Sequence, residues 1–376
     1  MSHRARPMAA PATFSPPPTL TAPRPAGARV AHLRMIEMAR GVACGWVLLF
    51  HSLAAFPPAT LTPVLRGVQF FSQTGWLGVH VFFAISGWCI AERVAAARRR
   101  AEPVTVYLRE RFFRIYPTYW VAFGILLGLR LVALPLNHTG LAQNLPAGAR
   151  GWVADLLLLN PYLGEPATLS VSWTLVYELG FYLCAAPAIV TWRRRVIDGR
   201  IWFAAGALLC FAPWSVRAGS PPWIVLGMWP NFFAGVAAWW IVRRGGRRAG
   251  LGLLAALAAM TIGQAAVTDA WGGSFILGRL TAIATGVALV GLHAPAERWG
   301  ATRSARSLCW LGGISYSLYL IHLPLILPLQ NLGTRLVSPS SPAYVLVWLL
   351  MLGAAMIGAV MLNRGVEAPV HRWQKR

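Results

Sequence analysis

Charged residues are scarce in this chain of 376 residues. They make up 12% of the sequence, and only 11 residues are acidic, whereas an ordinary soluble domain has about 25% charged residues. Hydrophobic residues make up 57%, against roughly 45–50% in such domains. This composition excludes an ordinary soluble protein and predicts a chain whose solvent is the lipid bilayer.

Lysine is almost absent, since a single Lys375 stands beside 33 arginines, yet the net charge is +23. On a soluble protein such a charge indicates a nucleic-acid partner. Here the arginines stand between apolar runs and do not form a stripe on one face. We therefore expect no nucleic-acid partner.

Cysteine spacings typical of zinc or redox sites are also missing. All five cysteines lie inside apolar runs, and no pair has the two-residue separation that such sites usually show. They are Cys44, Cys89, Cys184, Cys210 and Cys309. We expect packing residues, with no metal, disulfide or permanently bound cofactor.

Long apolar runs fill most of the chain. A bilayer core of roughly 30 Å takes about 20 apolar residues per helix. The sequence therefore predicts an all-α, polytopic membrane protein with about ten transmembrane helices. Their approximate ranges are 39–57, 68–91, 115–135, 171–192, 201–216, 222–242, 249–268, 275–293, 307–329 and 343–363.

The basic residues predict the orientation of these helices. If the N-terminus lies in the cytoplasm, all but six of the 34 Lys and Arg residues fall on cytoplasmic segments, as the positive-inside rule requires. Both termini are therefore predicted to be cytoplasmic, in a bacterial inner membrane. Because the first hydrophobic run starts only near Ala39 and continues as a full helix, a cleaved signal peptide is not expected.

The chain divides into a short tail, a membrane domain and a short end. Residues 1–33 are rich in Pro, Ala and Arg without an apolar period, which predicts a disordered cytoplasmic tail. Residues 34–372 form the membrane domain, and 373–376 end in the cytoplasm. The largest predicted outer loop, 136–170, carries several polar residues and is either a lid or acceptor platform, or a solvated connector. They include Asn137, His138, Asn144, Asp155, Asn160 and Glu165.

Four ionisable residues lie inside predicted spans: His51, His80, Glu178 and His322. Such a residue costs roughly 2.5–3.5 kcal/mol or more at the centre of a bilayer, so it normally lines a cavity or a pathway. All four are predicted to lie between the midplane and the outer leaflet. For Glu178 the alternative is a structural ion pair with one of the histidines.

Arginines mark the cytoplasmic side of the same helices. Arg40 and His51 are eleven residues apart, so they share one helix face at a separation of about 16 Å. Arg111 and Arg114 are three apart, which lets both guanidiniums face one way around a phosphate group. The alternatives are a positive-inside anchor at Arg40, a hydrogen-bonded core histidine at His51, and interfacial snorkelling of the other two arginines. Glycines near His80 and His322 predict close helix packing in the second and ninth spans.

These residues resemble the motifs of the acyltransferase type 3 family, integral membrane O-acyltransferases of bacterial surface polysaccharides and related acceptors. Arg40, ten residues and then His51 resemble the family's first-span signature, with Glu37 where members usually have Asp. Arg111 and Arg114 match its paired arginines at the entrance to the third span.

Four further segments resemble family motifs in chain order, so the likeness extends from about Arg34 to Arg372. The segments are 78–87, 172–182, 314–322 and 367–372. In the first of these segments, His80 stands where the family usually has Asp. A role that needs a carboxylate at this position is therefore not expected of this chain. In the second the family's acid falls on Glu178.

The resemblance implies an enzyme that moves an acyl group, with acetyl as the expected group, from cytoplasmic acyl-CoA to a hydroxyl of a sugar or glycan. Arg40, Arg111 and Arg114 would bind the donor, and His51 would act as general base. Exopolysaccharide, lipopolysaccharide or a glycosylated small molecule would be the acceptor.

Within that scheme, Glu178 or His80 would orient His51, and His322 would contact substrate. A proton-coupled transporter or flippase for a polyprenyl-linked sugar or small solute is the rival, because buried His and Glu groups also form proton relays. A catalytically inactive scaffold leaves the pair of Arg40 and His51 without a role.

Overall fold

The structure of this chain is a computed structural model that describes residues 26–133, 145–146, 148–193, 205–206, 227–267, 273–295, 299 and 302–374. Within these ranges the secondary structure is helical and contains no strand, which confirms the all-α class. The helices are α1 Ala26–Leu53, α2 Pro63–Ser72, α3 Gly78–Arg99, α4 Val104–Ala133, α5 Gly148–Leu157, α6 Asn160–Leu163, α7 Trp173–Arg193, α8 Trp229–Arg244, α9 Arg247–Val267, α10 Gly273–Leu292, α11 Arg303–Gly313, α12 Ser315–Leu336, α13 Tyr344–Leu362 and α14 Ala368–Trp373.

Five segments of the described chain are long and apolar enough to cross a bilayer. They are Pro63–Arg99, Val104–Val132, Ser170–Thr191, Phe275–Leu292 and Tyr344–Trp373. The helices α11 and α12, bent by 69° at their junction, make a sixth if the pair is one span. The count of about ten spans and the cytoplasmic termini stay predictions, and the predicted fifth span, 201–216, lies almost wholly outside the described residues.

The N-terminal helix is longer than the sequence indicated. α1 begins at Ala26, so it takes in the last eight residues of the segment for which a disordered tail was predicted. Residues 1–25 lie outside the described residues. The described part of the C-terminal end is also helical, because α14 runs to Trp373.

Two glycines let helices touch through their backbones. A Cβ atom on Gly312 of α11 would lie 1.9 Å from the carbonyl oxygen of Glu37 on α1, and one on Gly235 of α8 would lie 1.7 Å from that of Ala84 on α3. Any larger residue at these positions would push the helices apart. Close packing was predicted for the second and ninth spans. The contact of Gly312 confirms it, as does that of Gly87 on α3, whose Cβ would lie 1.9 Å from the Phe232 carbonyl oxygen.

An aromatic layer packs α7 against α8 and α3. The ring of Phe181 stacks on Phe232 at 4.4 Å between centroids, and Phe232 lies 4.8 Å from Phe83. Phe232 and Phe83 are almost fully buried. These contacts hold in place the face of α7 that carries Glu178.

The described part of the predicted outer loop is bound to α4. Hydroxyl groups of Tyr116 and Tyr119 donate to the carbonyls of Leu157 and Asp155, at 3.1 and 2.7 Å. The Asp155 side chain is fully buried, and its Oδ1 accepts hydrogen bonds from the Asn160 side chain and the Thr168 amide.

These buried contacts make Asp155 and Asn160 structural residues. In the same loop Glu165 lies 3.2 Å from Arg150. The polar residues of the proposed platform that the structure describes are therefore engaged within the protein, while Asn137, His138 and Asn144 lie outside the described residues.

Candidate active site

A cavity of about 540 Å³ opens where six helices and the segment after α13 converge. Its walls come from α1, α3, α4, α7, α11 and α12, and the segment 363–372 closes one side. The three predicted arginines line it, Arg40 from α1 and Arg111 and Arg114 from α4, together with Arg372 from the segment 363–372. Because Arg111 and Arg114 are three residues apart on one helix, both point to the same side of α4.

Each of the three arginines has a different set of partners. Arg40 donates from Nε to the Ser315 hydroxyl at 3.2 Å. Arg111 lies over the ring of Tyr182 at 5.3 Å, and its nearest carboxylate oxygen, on Glu110, is 3.7 Å away. The Nε atom of Arg111 is buried and has no hydrogen-bond partner among the described residues. The side chain is 20% exposed, so the rest of this guanidinium is open to a ligand.

Arg114 is paired with Glu367, a residue that was not among the predicted site residues. Its Nη1 lies 2.6 Å from Glu367 Oε1, while Glu367 Oε2 accepts from the Ser317 hydroxyl at 2.7 Å and from the Asn363 amide at 3.0 Å. Asn363 and Glu367 bound a π-helical segment, Asn363–Glu367, of the kind often found at functional sites. The sequence could have indicated Glu367 as a site residue, because it is the last acidic residue of the chain and closely follows a long apolar run.

Glu178 lines the cavity from α7. Its Oε1 accepts hydrogen bonds from the Ser86 hydroxyl, at 2.9 Å, and from the Tyr182 hydroxyl. The sequence pointed to the buried histidines as its partners, and this expectation is corrected by the structure: hydroxyl groups from α3 and from the next turn of α7 take that place. The histidines face other neighbours.

His51 and His322 form a pair at the far end of α1 from Arg40. Nε2 of His322 lies 3.1 Å from Nδ1 of His51, and the ring centroids are 5.0 Å apart. Neither residue lines the cavity, but Tyr319, which does, has its ring 6.0 Å from that of His322. The histidine pair therefore lies just behind one wall of the arginine-lined cavity.

His80 lies elsewhere. Its Nδ1 is 3.0 Å from the side-chain nitrogen of the fully buried Asn231 on α8, and its ring fills the space left by Gly278 on α10. The expectation that His80 orients His51 has no contact to support it among the described residues. The reason is that α3 turns this face towards α8 and α10, whereas His51 pairs with α12.

Four of the five cysteines lie in the described residues, and one of them, Cys89, lines the cavity. Cys44, Cys89, Cys184 and Cys309 are free thiols, and Cys210 lies outside the described residues. The described residues contain no group of three His, Cys, Asp or Glu side chains that could hold a metal ion.

The sequence of the chain matches one family along most of its length. The model of that family, Acyl_transf_3, described as an acyltransferase domain, matches residues 34–364. The chain belongs to this family. It is therefore an acyltransferase, and its apolar helices are those of a membrane protein.

Three curated proteins are similar to this acyltransferase, and one of them is an acyltransferase by name. Acyltransferase MdmB of Streptomyces mycarofaciens is 28% identical over 335 residues, which cover 79% of this chain and 81% of the relative. Exopolysaccharide production protein ExoZ of Rhizobium meliloti is 31% identical, over 66% of this chain and 75% of the relative. Nodulation protein 10 of Rhizobium leguminosarum is 29% identical over 143 residues, which cover 35% of this chain and 36% of the relative. No solved structure is significantly similar to this acyltransferase.

Proposed function

We propose that this acyltransferase moves an acyl group, with acetyl as the expected group, from acyl-CoA to a hydroxyl of a sugar or glycan, and that His51 is the general base. The donor would lie in the cavity lined by Arg40, Arg111 and Arg114. The observation that carries the proposal is this set of three guanidiniums around one cavity, of which Arg111 is partly exposed and has no close acidic partner.

The size and charge of the cavity support a nucleotide thioester as the donor. Its volume lies within the range of small-molecule sites, about 300–1,000 Å³. Guanidinium groups match phosphate oxygens with two parallel hydrogen bonds. The tight pair of Arg114 with Glu367 holds one guanidinium in position, whereas Arg111 has only a loose acidic contact and is left to bind the donor.

The reaction would be a direct transfer. The acceptor hydroxyl loses its proton to a ring nitrogen of His51 as its oxygen forms a bond to the carbonyl carbon of the thioester. The carbon–sulfur bond then breaks, and the proton passes from His51 to the CoA thiolate. A neutral imidazole suits the first step near pH 7.

The acceptor is proposed from relatives and from the predicted topology. One relative is by name an exopolysaccharide production protein, which favours a glycan over a protein acceptor. With both termini in the cytoplasm of a bacterial inner membrane, the arginine end of α1 would meet cytoplasmic acyl-CoA. The histidine end would meet an acceptor from the other side.

Single-turnover transfer tests the proposal. Purified protein in lipid nanodiscs is mixed with radiolabelled acetyl-CoA and a glycan extract of the producing bacterium. The His51→Ala variant should lose about 10²–10⁴-fold in transfer rate, the range for a general base. His293→Ala is the matched control, because His293 is exposed and does not line the cavity.

Two outcomes would count against the proposal. Full-rate transfer by His51→Ala would remove the base role. Uptake of a solute or lipid-linked sugar without consumption of acetyl-CoA by the wild-type protein would favour the transporter.

A further inference from the structure

The contact between His51 and His322 brings together two side chains of very different exposure. His322, on α12, is 1% exposed, whereas His51, on α1, is half-buried. The prediction that His322 binds substrate needs a free polar atom on its ring. Both of its nitrogens have partners inside the protein, so its chemistry is directed at those partners.

The hydrogen on the His322 ring can be placed from its neighbours. Nδ1 lies 3.1 Å from the carbonyl oxygen of Leu318 and 2.8 Å from that of Tyr319. Carbonyl oxygens only accept hydrogen bonds, so Nδ1 carries a hydrogen. None of the hydrogen bonds of this ring within the described chain is to a carboxylate, and a buried ring without a counter-ion is neutral. Nε2 of His322 therefore has a lone pair.

The same reasoning places the hydrogen on His51. Nδ1 of His51 is 3.1 Å from a nitrogen that accepts, so Nδ1 must donate. In a neutral imidazole the other nitrogen then carries the lone pair. We infer that His322 is a positioning residue that holds His51 in the tautomer with hydrogen on Nδ1, so that Nε2 of His51 is the atom that takes the acceptor proton.

This arrangement has a consequence for the reaction. When Nε2 of His51 takes a proton, the hydrogen bond from Nδ1 to His322 stays in place and strengthens, because the donor is now an imidazolium. His322 stays neutral throughout and gains no proton. The base role of His51 rests on the proposed function, whereas the tautomer rests on the contacts alone.

A second acceptor lies near the same ring. The carbonyl of Val47, one turn before His51 on α1, also interacts with it. Either Val47 or His322 could hold the hydrogen on Nδ1, and two substitutions separate them. His322→Leu removes the acceptor, while His322→Gln keeps a carbonyl oxygen at about the position of Nε2.

Nitrogen NMR reads the tautomer directly. The full-length protein is labelled with ¹⁵N-histidine and placed in nanodiscs, and the His51 signals are those lost in His51→Ala. Protonated and unprotonated ring nitrogens resonate in separate regions, and we expect wild type and His322→Gln to carry the hydrogen on Nδ1. His322→Leu should give a mixture of tautomers. A wild-type pattern in His322→Leu, or hydrogen on Nε2 in wild type, would overturn the inference.

Transfer kinetics supply a second readout. His322→Leu should lower kcat for transfer from acetyl-CoA by roughly tenfold or more, a part of the full effect of a general base. KM for acetyl-CoA should not change, because the cavity arginines are untouched. His322→Gln should stay within a few fold of wild type.

Ile326→Ala controls for lost packing, since Ile326 is fully buried one turn further along α12. If Ile326→Ala loses as much kcat as His322→Leu, the effect is one of packing and the positioning role is wrong. Full-rate transfer by His51→Ala would defeat the proposed function and leave the NMR result standing, so the two failures are distinct.

Discussion

Replacing Arg111 by Gln is the sharpest test of where the donor phosphates bind. Arg111 lines the cavity with 20% of its side chain exposed, and its Nε has no hydrogen-bond partner among the described residues. Its removal leaves no tightly bound carboxylate behind, since Glu110 is 3.7 Å away. Loss of Arg114, by contrast, would remove the cation that lies 2.6 Å from the largely buried Glu367 carboxylate.

The expected loss follows from the bonds that a guanidinium makes with phosphate. A hydrogen bond to a charged group contributes about 1.5–3 kcal/mol, and each 1.4 kcal/mol is a factor of ten in Kd. The Arg111→Gln variant should therefore bind acetyl-CoA about 10- to 150-fold more weakly. The contacts of Arg111 with the rings of Tyr107 and Tyr182 stabilise the free protein and do not add to this figure.

Equilibrium binding of radiolabelled acetyl-CoA to the protein in nanodiscs measures the effect. Arg109→Gln is the matched control, because Arg109 lies on the same helix, is exposed and does not line the cavity. It makes the same change in net charge. Equal Kd values for Arg111→Gln and Arg109→Gln would refute the assignment of the donor phosphates to this cavity.

Two further predictions concern stability, measured as thermal unfolding in detergent. Gly235→Ala should lower the free energy of unfolding by about 1–3 kcal/mol, because its Cβ would lie 1.7 Å from the Ala84 carbonyl oxygen. Gly252→Ala is the control: its Cβ would meet open space, so this change should raise the free energy of unfolding by about 0.5–1 kcal/mol. Equal effects of the two substitutions would contradict the close approach of α3 and α8. Glu367→Ala should cost about 3–5 kcal/mol by leaving Arg114 unpaired. The double variant with Arg114→Ala should cost less than the sum of the two single changes, and strict additivity would show that the 2.6 Å pair is not coupled.

Local sequence patterns predicted part of the fold. Apolar runs near 20 residues predicted helices at 115–135 and 343–363, and the structure has α4 and α13 there. The glycines of the second and ninth spans predicted close packing, because small residues have few other uses inside a bilayer. The sequence did not indicate that α1 begins at Ala26, since no apolar period marks residues 26–33.

The partners of the buried polar groups could not be predicted in this way. A helical spacing shows which residues share a face, as for Arg40 and His51, but it does not show which helix meets that face. His322 was therefore given a substrate contact although it pairs with His51, and Glu178 was given histidine partners although Ser86 and Tyr182 bind it. The roles of Arg40, Arg111, Arg114 and His51 in donor binding and catalysis stay predictions.

The π-helical segment Asn363–Glu367 also sets what the last long helix of the structure can do. In a π-helix the hydrogen bonds join residues five apart, which makes a wider turn than in an α-helix. The side chains that follow therefore point to a different side, while the helix itself continues unbroken. Up to Leu362 its residues are almost all apolar, whereas beyond that point Asn363, Glu367 and Arg372 line the cavity. One continuous helix thus carries apolar side chains along most of its length and charged groups at the cavity end. Deleting a single residue from this segment would rotate the residues that follow it by about 100° around the helix axis. The Glu367 carboxylate would then lose its contact with Arg114, whereas the apolar part of the helix before Asn363 would keep its orientation.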